Sequence, residues 1–202
     1  MLPVAPDGLM RVPPGRVATI VTSLEITAAP APATTSLAPA GAELTRVDRP
    51  DLDWYRRLFR AVGEDWLWFS RLRLDDDGLA AIIHDPAVHV HVLRVSGVEA
   101  GILELDFREP GQCEIAFFGL TPRFVGNGFG GYLMREAVTR AWAKPIERLW
   151  VHTCTLDHPS ALAFYRRMGF HAFRQDVEIA MDPRVRGELP RTAGRHVPIF
   201  DV

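Results

Sequence analysis

The stretch Gly126-Asn127-Gly128-Phe129-Gly130-Gly131 decides the fold of this chain. It lies between a strand-like apolar run at residues 114–120 and a helical pattern at residues 132–142. Glycines let the backbone approach a ligand without a Cβ atom in the way, and a helix that begins there presents unpaired N–H groups to an anion. The stretch is therefore typical of a phosphate-binding loop, although strand, glycine loop and helix occur in several different designs.

Strand patterns surround this loop. Three strand-like runs come before the loop, at residues 88–95, 101–108 and 114–120, and the short turns between them indicate an antiparallel meander. The helix after the loop and a strand at residues 148–154 complete a parallel crossover unit. We predict an α/β (α+β) protein: a mixed, mostly antiparallel central sheet with helices on both faces, and the loop within the β-α-β crossover.

The rest of the chain divides by composition. Residues 1–16 combine proline, glycine and charge without periodicity, which predicts a disordered extension. Residues 17–41 contain a β-branched strand followed by a linker, residues 42–181 form the main domain, and residues 182–202 form an irregular tail. The N-terminal strand either joins the sheet or pairs with a neighbouring subunit, so a homodimer is one expected assembly.

Helices are predicted at four further places. Apolar residues at helical spacing indicate one helix at residues 52–62, and a second through Trp66 to Leu72 that ends near an acidic triplet. A short helical piece at residues 79–84 follows and is ended by Pro86. Pro159, with Asp157 or His158 as the cap, begins a last helix, which ends at Gly169.

Composition excludes several function classes. The chain is 48% apolar and 24% charged, and its net charge of −2 gives no basic footprint for nucleic acid. Two cysteines, Cys113 and Cys154, have no metal-ligand spacing and indicate a reducing compartment. No apolar run approaches the roughly 20 residues of a membrane helix, and prolines interrupt the start where a signal peptide needs an apolar core. We expect a cytoplasmic protein with no membrane or nucleic-acid partner.

A dinucleotide site is the rival explanation of the loop. Gly126, Gly128 and Gly131 also satisfy the G-x-G-x-x-G fingerprint of nicotinamide-dependent oxidoreductases. However, residues 121–125 separate Leu120 from the loop, whereas a dinucleotide loop turns directly off its strand. The antiparallel meander is also wrong for a doubly wound parallel sheet, so NAD is the less favoured ligand.

Residues 42–181 resemble the GNAT superfamily of acyl-CoA N-acyltransferases. That family places the acetyl-CoA pyrophosphate on a loop of the pattern Gln/Arg-x-x-Gly-x-Gly/Ala, whose glycines correspond to Gly128 and Gly130. The Gln/Arg position falls on Val125, so backbone N–H groups are expected to bind the pyrophosphate, with Arg123 adding charge. The resemblance implies these loop residues for the cofactor: Val125, Gly126, Asn127, Gly128, Phe129, Gly130 and Gly131.

A second segment carries the same resemblance. His158-Pro-Ser-Ala161-Leu-Ala-Phe-Tyr165-Arg-Arg-Met-Gly169-Phe170 is similar to the family pattern N-x-x-A-x-x-x-Y-x-x-x-G-F, with His158 in place of the Asn. Ala161 and Tyr165 share one helix face, which in such enzymes looks toward the thioester. The string from His152 to Pro159 resembles bacterial members of unassigned substrate.

The resemblance also implies catalytic roles. Glu114 is placed like the glutamate that takes the amine proton, directly or through water, although a strand glutamate that faces solvent or pairs with an arginine is an equal alternative. The Phe118 N–H is expected to polarise the thioester carbonyl and Leu120 to pair with the pantetheine arm. Tyr165 is the candidate proton donor to the leaving thiolate, and His152 or His158 are alternative bases.

The acceptor implied is a primary amine of a small molecule or a protein. Aromatic residues cluster in the early helices, namely Trp54, Trp66, Trp68 and Phe69. Such residues more often belong to the core than to a substrate pocket, yet one or two of them are expected to line the acceptor pocket. Glu64 and Asp65 nearby suggest a cationic amine, whereas His89 and His91 do not make a metal site. A non-catalytic acyl-CoA sensor is the alternative function.

Overall fold

The computed structural model describes residues 7–30 and 38–201. The start of the predicted extension (1–6) and part of the linker (31–37) lie outside this part of the chain. The strands are β1 (Arg16–Ile26), β2 (Ala42–Arg46), β3 (Val88–Val95), β4 (Val98–Asp106), β5 (Gln112–Leu120), β6 (Arg148–Cys154) and β7 (His171–Met181). The helices are α1 (Leu52–Gly63), α2 (Asp76–Ile83), α3 (Phe129–Trp142) and α4 (Ala161–Arg167).

All seven strands form one sheet in the order β2-β3-β4-β5-β6-β1-β7. Within residues 7–30 and 38–201, only β5 and β6 pair in parallel, and α3 connects them, which confirms the predicted mixed and mostly antiparallel sheet with one crossover unit. The N-terminal strand β1 joins its own sheet, where it lies between β6 and β7 and is antiparallel to both. None of the helices in the described ranges has the length and hydropathy needed to cross a bilayer.

Strands β5 and β6 diverge after a short paired stretch. Their register runs from Gln112–Arg148 to Glu114–Trp150, although β5 continues to Leu120 and β6 to Cys154. The pairing of β5 with β4 also shifts at Ala116, which lies between the paired residues Ile115 and Phe117. Such a bulge bends and twists the strand. The sheet therefore opens into a V at the carboxyl ends of β5 and β6.

Helices cover both faces of the sheet because successive strand residues point to opposite sides. On β4, Ile102 packs with α1 and α2 in one apolar cluster, whereas Leu103 and Leu105 belong to the cluster that includes α3. Tyr165 of α4 also belongs to this second cluster. The crossover helix and α4 thus lie on one face, and α1 and α2 lie on the other.

The predicted helix from Trp66 to Leu72 is wrong. Residues 64–66 form a single 3-10 turn, and it ends because Leu67 adopts a left-handed conformation with φ of 56°. Two neighbouring side chains then pack in different places: Leu67 contacts Leu189 and Ala193, and Trp68 packs on Phe59. A regular helix does not allow both contacts, so the chain from residue 67 to α2 is irregular.

The C-terminal segment 182–201 contains no helix or strand and is fixed by one buried ion pair. Asp182 and Arg184 have side chains 2% and 1% exposed and lie 2.7 Å apart. Arg184 Nη1 also donates to the carbonyl oxygens of Ala193, Gly194 and Val197. This bond network holds the segment over Leu67, next to the opening between β5 and β6.

Candidate active site

A cleft of about 830 Å³ lies at the opening between β5 and β6. Its walls are the glycine loop, the second half of β5, the end of β6, the first turn of α4 and residues 66–71. The structure brings nine of the eleven sequence-predicted site residues to this cleft: Glu114, Phe118, Leu120, Val125, Gly126, Gly128, Gly130, Gly131 and Tyr165. The other two do not line it. Asn127 Nδ2 donates to the Val125 carbonyl oxygen at 3.3 Å, and the Phe129 ring packs on Phe124.

The glycine loop leaves the first turn of α3 unpaired. Gly126 and Gly128 have φ values of 85° and 82°, a region that strongly favours glycine, and Gly128 is the N-cap of α3. No side chain accepts a hydrogen bond from this helix end. A Cβ atom built on either glycine meets nothing within 4 Å. The first-turn N–H groups thus have no capping side chain among the described residues, and the loop has room beside it, which suits a phosphate.

The free edge of β5 faces the same opening. Thr121 N donates to the Ala100 carbonyl oxygen of the β4 side at 2.8 Å. Backbone N–H groups alternate between the two edges of a strand, so those of Leu120 and Phe118 point away from β4. They face the side where β6 has already diverged. An extended ligand can pair with β5 there as a further strand would.

Tyr165 lies on the α4 wall of the cleft. Its side chain is buried among the rings of Phe118, Phe164 and Phe170. Burial and, to a smaller extent, the negative charge of Asp157 raise the pKa of this phenol above its ordinary value. The hydroxyl is thus neutral at physiological pH and carries a proton to donate.

Asp157, one of the two caps predicted for the last helix, does not cap α4. Its carboxylate accepts hydrogen bonds from Thr153 Oγ1, from the Cys154 N–H and from Trp68 Nε1, at 2.8, 2.9 and 3.2 Å. These bonds close the turn after β6 and tie it to the irregular segment around Trp68. His158, the other alternative, is not the cap either, because the N-cap of α4 is Ser160; His158 Nδ1 accepts a hydrogen bond from the Ser160 N–H at 3.1 Å.

Glu114 and His152 form a carboxylate–imidazole pair in the cleft. Glu114 Oε1 and His152 Nδ1 are 3.2 Å apart. The Glu114 carboxylate, as the acceptor for an imidazole N–H, raises the pKa of His152; burial opposes this effect, and the charges of Glu114, Asp157 and Glu178 support it. The sequence signals neither the pairing nor its geometry, because the contact depends on the β5–β6 register, in which Glu114 lies beside Trp150.

Two arginines that line the cleft are paired with carboxylates. Arg71 Nη2 donates to Glu104 at 2.6 Å, and Glu104, which is fully buried, also accepts from the Tyr55 hydroxyl. Arg108 and Asp106 form a similar pair. Sequence reasoning missed these residues, although a glutamate inside the apolar run Ile102 to Leu105 is a signal of a buried, paired charge.

The model of the Acetyltransferase (GNAT) family matches residues 52–170, which is more than half of the chain. The chain belongs to the GNAT acetyltransferase family. The sequence resemblance to this family is therefore confirmed. The roles of its individual residues stay predictions.

Solved structures share the GNAT fold. A GCN5-related N-acetyltransferase from Sphaerobacter thermophilus superposes with a TM-score of 0.60 at 18% identity, covering 84% of this chain and 52% of that one. A functionally unknown conserved protein from Staphylococcus epidermidis superposes with a TM-score of 0.55 at 14% identity, covering 83% of this chain and 63% of that one. An aminoglycoside acetyltransferase from an uncultured soil metagenomic sample, in complex with trehalose, superposes with a TM-score of 0.51 at 19% identity, covering 64% of this chain and 88% of that one.

The chain thus spans less than two thirds of the length of the Staphylococcus and Sphaerobacter proteins. At these identities the likeness shows the fold alone. A comparison with curated proteins found no match.

Proposed function

We propose that this GNAT protein transfers an acetyl group from acetyl-CoA to a primary amine of a small molecule or a protein. One observation carries the proposal: the uncapped first turn of α3, the free edge of β5 and the Glu114–His152 pair all open onto the same cleft. Acetyl transfer requires anion binding, carbonyl polarisation and proton removal, and these three features suit the three tasks in that order.

Backbone groups would hold the donor. The N–H groups at the start of α3, from Phe129 to Gly131, suit the pyrophosphate, because Val125 offers no polar side chain to help them. The free N–H of Leu120 suits the pantetheine arm, and that of Phe118 suits the carbonyl oxygen. Acetyl-CoA supplies an acetyl group activated as a thioester, which an uncharged amine attacks directly.

Proton transfers complete the reaction. The amine must lose a proton before it attacks, and Glu114, or His152 bonded to it, is the base in reach of the cleft. The Tyr165 hydroxyl, kept neutral by burial, is the proposed donor to the departing sulfur.

The cleft suits a cationic acceptor. Its lining includes the aromatic residues Trp66, Trp68 and Phe69 and the carboxylates of Glu114 and Glu178. Aromatic faces and carboxylates both attract ammonium groups. The arginines Arg71 and Arg108 do not counter this attraction fully, because each is paired with its own carboxylate. One protein of the same fold is an aminoglycoside acetyltransferase, so amines on polar scaffolds are the first to test.

A non-catalytic acyl-CoA sensor is the second candidate. It is favoured by Val125, whose apolar side chain, 44% exposed, stands where the family carries Gln or Arg. A nicotinamide-dependent oxidoreductase is not favoured, because the sheet has one parallel pair rather than a doubly wound parallel core.

Two experiments separate these functions. Isothermal titration with acetyl-CoA and with NAD tests the ligand, and we expect binding of acetyl-CoA alone; no binding at millimolar acetyl-CoA refutes both the enzyme and the sensor. A screen of primary amines, with free thiol as the readout, then tests catalysis. Saturable, amine-dependent thiol release supports the enzyme, and its absence across the screen favours the sensor.

Assembly and location are part of the same proposal. We propose a homodimer that uses the outer strand β7, which exposes Phe173 and Val177 and has no further strand beside it among the described residues. Light scattering tests this assembly. A cytoplasmic location agrees with the two free cysteines, Cys113 and Cys154.

A further inference from the structure

We propose that Nε2 of His152 is the general base of this enzyme and that Glu114 is a positioning residue that acts through His152. This inference rests on the proposed function. It differs from the assignment of Glu114 as the base, because it gives the two members of the pair different tasks.

The carboxylate of Glu114 lies against one nitrogen of the imidazole. Glu114 Oε1 is 3.2 Å from Nδ1, and an ionised carboxylate, which only accepts hydrogen bonds, favours the tautomer with its proton on Nδ1. The lone pair of the neutral ring is then on Nε2, which makes no hydrogen bond to any described residue. A carboxylate that holds the tautomer and orientation of a histidine base is a recurrent catalytic arrangement.

Exposure favours the imidazole as the group that meets the substrate. The His152 side chain is 47% exposed, whereas that of Glu114 is 23% exposed. His152 also lies beyond Trp150, at which the β5–β6 pairing ends, and so projects into the opened part of the cleft. An acceptor amine that enters the cleft therefore reaches the ring before the carboxylate behind it.

The charged groups around His152 suit a base that works near neutral pH. Glu114 on β5, Asp157 in the turn after β6 and Glu178 on β7 all stabilise its protonated form, so the pKa of the imidazole is raised. An imidazole ordinarily titrates near 6.5, so a histidine suits a base that works near neutral pH. The carboxylates would also attract the incoming ammonium group.

The step is a single proton transfer. Nε2 takes one proton from the bound ammonium group, which leaves a neutral amine and an imidazolium paired with the Glu114 carboxylate. The amine lone pair then attacks the thioester carbonyl, the C–S bond breaks, and the departing sulfur takes the Tyr165 proton. The second proton on nitrogen leaves as the amide forms and restores the Tyr165 hydroxyl, directly or through water. The exposed ring returns its proton to water after the product leaves.

Matched glutamine variants test this division of tasks. We expect His152→Gln to lower kcat/KM about 10²- to 10⁴-fold and to remove the acid limb of its pH profile. We expect Glu114→Gln to move the acid limb to lower pH, because the loss of the negative charge lowers the pKa of His152. We expect it to lower kcat/KM only about tenfold, since one pKa unit corresponds to a factor of ten. His171→Gln, an exposed histidine on β7, is the control and leaves the profile unchanged.

Measurements of acetyl-CoA affinity and of the His152 NMR titration separate failure of the proposed function from failure of this further inference. Both variants are expected to bind acetyl-CoA with the affinity of the parent protein, since neither residue belongs to the glycine loop. The imidazole resonance of His152, assigned by its loss in His152→Gln, is expected to titrate at lower pH in Glu114→Gln. If no amine is a substrate, the proposed function fails. Independently of that result, a His152 resonance that titrates at the same pH in Glu114→Gln as in the parent protein would refute the positioning role of Glu114. Loss of activity in Glu114→Gln with near-parent activity in His152→Gln would overturn the inference.

Discussion

The substitution Arg71→Met tests the buried charge network beneath the cleft. Glu104 is fully buried on β4, and its carboxylate has two partners, Arg71 Nη2 at 2.6 Å and the Tyr55 hydroxyl at 2.5 Å. Burial raises the pKa of Tyr55 well above its ordinary value, and the charge of Glu104 adds to this effect. The tyrosine therefore stays neutral and cannot replace the missing positive charge. Arg71→Met leaves a buried carboxylate without a counter-charge.

The expected loss of stability follows from that isolated charge. Removing one partner of a buried ion pair destabilises a protein by about 3–5 kcal/mol. For a domain of this size each kcal/mol lowers Tm by about 2–4 °C, so we expect Tm to fall by about 6–20 °C. The double variant Arg71→Met/Glu104→Gln is expected to be more stable than Arg71→Met alone, because it holds no buried charge.

Urea and thermal denaturation followed by circular dichroism measure both quantities. Arg140→Met is the control, since Arg140 pairs with Glu136 on the surface of α3 with side chains 36% and 31% exposed. Such i, i+4 pairs contribute about 0.3–0.5 kcal/mol. A loss below about 1 kcal/mol for Arg71→Met, or a double variant less stable than the single one, would refute the reasoning.

Three further predictions concern the cleft and its frame. Gly128→Ala is expected to weaken acetyl-CoA binding about tenfold, because a side chain at a φ of 82° costs about 1–2 kcal/mol; unchanged affinity in titration calorimetry would contradict this. Tyr165→Phe is expected to lower turnover and spare acetyl-CoA affinity, and parent rates would remove Tyr165 from the mechanism. Burial opposes ionisation of Asp182, but hydrogen bonds from Arg184 outweigh it and lower the pKa below the ordinary value. The stability contributed by this carboxylate is present above pH about 4 and is lost as the pH falls through the lowered pKa. Asp182→Asn should therefore flatten the loss of stability below pH about 4 in urea titrations.

Local patterns were enough to predict the crossover unit. The glycines around Gly128 and the apolar periodicity of the flanking segments are properties of short stretches, and the structure has β5, α3 and β6 in the predicted order. Strand limits moved by a few residues, as in β4, predicted at 101–108 and found at Val98–Asp106, because pairing partners rather than propensity decide where a strand ends.

Long-range features were not accessible from the sequence. The position of β1 between β6 and β7 depends on pairing with strands more than a hundred residues away. The Glu114–His152 contact depends on a parallel register that no local pattern encodes. The irregular segment after Trp66 was predicted as a helix because Leu67 and Trp68 fit helical spacing, whereas they pack on separate clusters.

A crystal structure of the complex with acetyl-CoA tests the central claim most directly, namely that the glycine loop and the opened edge of β5 form the donor site. We expect the pyrophosphate within hydrogen-bond distance of the N–H groups of Phe129 to Gly131. The thioester carbonyl should face the Phe118 N–H, with the acetyl carbon on the side of His152. A complex whose pyrophosphate lies away from the start of α3, or whose acetyl group lies outside the opening between β5 and β6, would contradict the account.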